Sequence, residues 1–170
     1  MWDDNPQLNA LVDAINRTPV QHALRNFFDD HSALLVMLQT VHILGIAAMI
    51  ATAWLTGLWL MGATALPKAL GASPRVLIQA SFVALAILAT TGLVLILRWP
   101  DRILLSTAFP IKMALVALGL CLMIGLFRTL KGDMLHWQAP ERRAAGRALG
   151  LSILVVWSAV VFAGRWIPFS

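Results

Sequence analysis

Charged residues interrupt this chain only at intervals, and between them lie four long apolar runs. From Ser32 to Leu66 there is no Lys, Arg, Asp or Glu, whereas a membrane-crossing helix needs only about 20 apolar residues at ~1.5 Å rise each. The pattern predicts spans over 32–62, 76–98, 107–130 and 148–167, the first long enough to tilt or to project from the bilayer. Barrel strands would alternate over ~10 residues, and these runs are too long and too continuous for that, so helices are predicted. Residues 1–31 read instead as an interfacial amphipathic segment of two short helices. Asn5 and Pro6 open the first, and Thr18-Pro19 opens the second. Leu8, Leu11, Val12 and Ile15, then Val20, Leu24, Phe27 and Phe28, recur on one face of each. Such helices suit the headgroup region or a lid on their own bundle, and the pattern allows both. The expected object is all-α, an integral membrane four-helix bundle over 32–170.

Composition agrees. With 59% hydrophobic residues, 12% charged and a mean hydropathy of +0.79, 170 residues carry more apolar surface than one soluble core can hide. The lipid bilayer is therefore the first expected partner. The single Cys121 lies in the third run, which excludes an intrachain disulfide and suggests a small packed hydrophobe. A net charge of +5 does not point to nucleic acid, because the basic residues flank spans instead of forming one soluble face. Lys68, Arg75, Arg128, Lys131, Arg142, Arg143 and Arg147 slightly outnumber Arg17, Arg25, Arg98, Arg102, Lys112 and Arg165 on the other side. That excess predicts a cytoplasmic third connection and extracytoplasmic termini. Trp137 would then face the cytoplasm, with Trp2 and Phe169 outside it. Met1-Trp2-Asp3-Asp4 has no basic n-region, so no cleavable signal is expected.

Arg98-Trp99-Pro100 closes the second span and Arg165-Trp166-Ile167-Pro168 the fourth, each read as a snorkelling cation, an interfacial aromatic and a helix breaker. Every carboxylate lies outside the predicted hydrocarbon, which argues against a carboxylate-driven proton pump. Phosphate-binding glycine loops, metal-spaced Cys/His clusters and nucleophile–base pairs are all missing.

His42 is the candidate for chemistry, because an ionisable side chain deep in a span needs a partner. On a helix it shares a face with Leu35, Leu38, Gly45, Met49 and Thr56. In one reading, its imidazole ligates haem b and Gly45 clears room for the macrocycle. In the other, His42 bonds a hydroxyl such as Thr90 or Thr91 across the bundle, and Gly45 only permits close packing. No second His stands at its depth. The remaining ligands would be Met49, Met113, Met123, or a residue of another subunit, and a shallower site would use His31. Lys112, at the start of the third span, would pair with a haem propionate or an anionic quinone if inward, and snorkel if outward, the favoured expectation. Met37, Met49 and Met61 suit Cu(I), but ~100° per residue turns each away from the last. Gln39 and Gln79 are expected to bond between helices.

Thr18-Pro19 with Ala23-Leu24-Arg25, Gln39-Thr40-Val41-His42-Ile43-Leu44-Gly45, Phe109-Pro110-Ile111-Lys112-Met113 and Ala163-Gly164-Arg165-Trp166-Ile167 together resemble an uncharacterised family of small bacterial four-helix membrane proteins, over nearly the whole chain. A His early in one span and a Lys opening a later one are more loosely similar to HemJ-type protoporphyrinogen oxidases and CopD-type membrane domains. The HemJ resemblance implies haem-associated redox chemistry at His42 and Lys112, and the CopD resemblance implies copper uptake. Two motifs depart from the family: its Asp-Leu-Arg reads Gly57-Leu58-Trp59 here, and its His-Arg reads Phe127-Arg128. The expected function is a membrane redox protein or redox-complex subunit, the alternative a non-catalytic accessory or assembly subunit packed against other membrane proteins. Small residues at Ala47/Ala51 and Ala53/Gly57 would serve such contacts.

Overall fold

A computed structural model describes residues 6–63, 73–132, 137 and 139–167. Trp2, Asn5, Lys68, Pro168 and Phe169, which enter the sequence argument, lie outside the described residues. The helices are α1 (Pro6–Asn16), α2 (Pro19–Asp30), α3 (Ser32–Leu60), α4 (Pro74–Arg98), α5 (Pro100–Leu104), α6 (Ala108–Gly132) and α7 (Arg143–Trp166), the last preceded by a 3₁₀ turn at Pro140–Arg142. Four of them are long and apolar enough to cross a membrane, so the chain is an all-α, multi-pass membrane protein. α7 begins five residues before the predicted fourth span, because the 3₁₀ turn at Pro140 feeds straight into a helix that projects beyond the apolar run.

Local signals set the helix ends. Thr18 caps α2 by accepting from the Gln21 amide at 3.3 Å, and Ser73 caps α4 by accepting from the Val76 amide at 3.3 Å. A proline occupies the first turn of both.

α3 runs down the bundle between α4 and α7, and α7 packs in turn on α6. The α3–α4 pairing is antiparallel in one register: His42 meets Thr91, Gly45 meets Leu88 and Thr52 meets Ser81, each step forward on α3 matched by an equal step back on α4. The α3–α7 contact is closest at Gly57 and Gly150. A Cβ on Gly150 would lie 2.5 Å from the Gly57 carbonyl oxygen, so the helices approach backbone to backbone. Ala53 and Gly57 are thus consumed inside the bundle, while Ala47 and Ala51 face outward. α4 and α6 touch much less, with Phe82 and Phe127 edge to face at 5.9 Å.

The core is lopsided. Met49, Ala53, Ile78, Ala84, Met123, Leu126, Ile153 and Trp157 form one buried cluster, all from the middle of the spans toward the C-terminal end of α3. Toward the N-terminal end of α3 the helices are less tightly covered, and Leu38, His42 and Lys112 are half-buried. Cys121 points outward rather than into the core, since its neighbour Leu122 takes the packed position.

α1 and α2 fold onto this more open end. Asn16 Nδ2 donates to Asp101 at 3.0 Å, and Arg98 pairs with Asp29 at 2.5 Å. Arg98 is therefore a correction to the snorkelling expectation: it is 8% exposed, because α2 brings a carboxylate over it, and its guanidinium also lies 5.2 Å from the Trp99 ring centroid.

Candidate functional site

Helix geometry places His42 among its predicted face-mates. Leu35 and Leu38 are half-buried, and Gly45, Met49 and Thr56 are buried. Its Nδ1 lies 2.7 Å from Thr91 Oγ1. That hydroxyl has one proton, and it stands 2.7 Å from the Ile87 carbonyl one turn back. With the proton given to Ile87, Thr91 can only accept from His42. The imidazole is then held as the Nδ1–H tautomer, and Nε2 keeps its lone pair.

The two glycines beside this pair differ. Gly45 is filled in: a Cβ there would meet Leu88 Cδ2 at 3.1 Å, so the position serves helix packing. Gly92 faces the ring itself, since a Cβ there would lie 3.5 Å from His42 Cε1. The sequence reading passed over Gly92, although a Thr-Gly step in a span of otherwise bulky residues marks where something approaches closely.

Lys112 joins the same layer. Its stem crosses α7, and a Cβ on Gly164 would stand 3.2 Å from Nζ. Gly119 meets Trp157 in the same antiparallel register, seven residues on. Extending the Gly57–Gly150 register along α3 and α7 brings the Gly164–Arg165 end of α7 to the depth of His42. The favoured outward snorkelling therefore gives way to packing against α7, because Gly164 leaves a trough for the stem.

Among the described residues the layer thus holds one amine, one imidazole with a bare nitrogen and no carboxylate. His31 is not part of it. Its Nδ1 bonds the Phe27 carbonyl at 3.0 Å and its ring stacks on Phe27 at the α2–α3 junction. Met49 and Met123 are 2% and 1% exposed in the core, and Met113 is exposed. No group of three or more His, Cys, Asp or Glu among the described residues could hold a metal ion. Neither Gln39 nor Gln79 bonds another helix among the described residues, whereas Ser81 and Thr52, overlooked in the sequence, do so at 2.8 Å.

A haem would find one oriented axial ligand here. The imidazole with its Nδ1–H tied back to a hydroxyl fits that role, and Lys112 fits a propionate; the Gly45 slot does not accommodate a macrocycle, because Leu88 fills it. No family model, curated protein or solved structure matches this chain.

Proposed function

We propose that this protein is a membrane redox subunit in which His42 presents Nε2 to the iron of a haem b at the edge of the bundle, with Lys112 balancing a propionate. The observation that carries the reading is the Thr91 hydrogen bond, which commits Nδ1 and frees Nε2. The haem would supply one-electron chemistry; the chain's own residues orient the ligand, offset anionic charge and exclude water. The loose resemblance to HemJ-type oxidases, through His42 and Lys112, supports the same assignment. Among the described residues no second imidazole stands at this depth, so His42 would be the one imidazole this chain offers to the haem. A Soret band in protein purified from haem-replete cells, absent in His42→Ala, tests the proposal.

The accessory-subunit reading is favoured by a separate observation, Leu88 packed into the Gly45 space as in an ordinary helix interface. It predicts a fixed membrane partner in mild-detergent purification and a colourless protein. For either reading we propose a bacterial inner membrane with extracytoplasmic termini, which places the His42 layer in the outer half of the bilayer.

A further inference from the structure

α2 lies across the end of the bundle rather than along it. Asn16, just before α2, donates to Asp101, and Asp29, in its last turn, pairs with Arg98. Those two anchors are three residues apart where the α4 span ends, while α2 itself is about 18 Å long at ~1.5 Å per residue. A helix standing parallel to the spans would carry its two ends to levels that far apart. α2 therefore runs close to the plane in which α4 ends, the level of Trp99 and of a membrane–water boundary.

Around its axis the surroundings fall into three sectors. Val20 and Phe27, Gln21 and Phe28, and His22 and Asp29 are pairs two turns apart, and each pair is turned ~100° from the one before. Gln21 and Phe28 are buried against the bundle, and His22 and Asp29 are exposed and polar. Val20 and Phe27 are apolar and yet 61% and 48% exposed, with Ala23 exposed on the same edge and Leu24 half-buried between that edge and the bundle. A lid surrounded by water needs two sectors only, one apolar and covered, one polar and wet. The third, uncovered and at about a right angle to the bundle, calls for an apolar neighbour beneath the helix.

That edge continues into the apolar outer surface of a span. Phe27 stacks on His31 with ring centroids 4.9 Å apart, and α3 starts at the next residue, with Leu34, Met37, Val41 and Leu44 exposed at helical spacing along it. By area the edge is too small to seat a second protein. A Phe offers about 150–250 Å² in full, so half of one, part of a Val and an Ala fall well short of the ~800 Å² per partner of a stable interface.

We propose that α2 is a membrane-surface helix whose Val20, Ala23 and Phe27 edge is seated in the lipid interface, at the level of the glycerol and upper acyl chains, with Gln21 and Phe28 on the bundle and His22 and Asn26 in water. The Asn16–Asp101 bond and the Arg98–Asp29 pair hold it at that level.

Spin-label accessibility of the full chain in phosphatidylcholine–phosphatidylglycerol vesicles tests this, with single nitroxides introduced by Val20→Cys, Ala23→Cys, His22→Cys and Asn26→Cys in a Cys121→Ala background. Labels at 20 and 23 should be relaxed more by oxygen than by a water-soluble nickel chelate, and the order should invert at 22 and 26. Ala23→Cys replaces a small exposed side chain, so it reads the edge even if Val20→Cys loosens the helix. Without a label, Phe27→Asp should quicken amide exchange over residues 19–30 about three- to tenfold in vesicles, the loss of half a buried Phe side chain, while Asn26→Asp leaves it unchanged. Nickel preference at 20 and 23, or unchanged exchange in Phe27→Asp, would overturn the proposal and make α2 a solvated lid. Labels at 20 and 23 shielded from both reagents would overturn it too, and assign the edge to a protein neighbour.

Discussion

His42 Nδ1 and Thr91 Oγ1 are 2.7 Å apart, and the same hydroxyl stands 2.7 Å from the Ile87 carbonyl, so a Thr91 proton given to Ile87 makes the imidazole the donor of the pair. The hydroxyl thereby fixes both the orientation of the ring and which nitrogen remains available. Thr91→Val keeps the shape of the side chain and removes the acceptor. On the proposed function it should weaken haem retention about 10- to 100-fold, as loss of such an outer partner does at metal sites. Thr91→Ser should retain it, with the helical content of both variants unchanged by circular dichroism.

The Gly57–Gly150 contact sets the α3–α7 distance, and a methyl group has no room there. Gly150→Ala should lower stability by about 1–3 kcal/mol, the usual cost of overpacking, read as a lower melting temperature in detergent. Gly125→Ala is the matched control. Nothing lies within 4 Å of its Cβ position, so helix propensity should make it neutral or slightly stabilising, by up to about 1 kcal/mol.

Arg98 is nearly buried while the Asp29 side chain is 58% exposed, so the pair is screened on one side only. Asp29→Ala should therefore cost only about 1 kcal/mol globally. Its larger effect should be local: faster amide exchange over residues 19–30, with exchange in the middle of α3 unchanged.

How far these features could be read from the sequence depended on range. The four spans and the Thr18 end are local signals, because an uninterrupted apolar run and a capping hydroxyl before proline act within a few residues. The His42 face also followed from helical periodicity, while Thr90 and Thr91 entered only as hydroxyls available across the bundle. Register between helices did not. Leu88 against Gly45, Lys112 across Gly164 and Asp29 over Arg98 each depend on how one helix slides along another, which no single run encodes. Cys121 faces outward against expectation for a related reason: in a span where every position is apolar, hydropathy does not tell core from lipid.

The charge distribution predicts that Arg142 and Arg143 face the cytoplasm. Alkaline phosphatase fused after Ser170 should be active, and a cytoplasm-restricted fluorescent reporter at the same point should be dark. The reverse outcome would move the His42 layer to the inner half of the membrane.

The central claim is that Nε2 of His42 binds haem iron, and imidazole rescue tests it most directly. Protein from haem-replete cells should show a Soret band that is lost in His42→Gly and returns when free imidazole is added to that variant with haem. A folded wild type without the band, or a His42→Gly variant that keeps it without imidazole, would contradict the account.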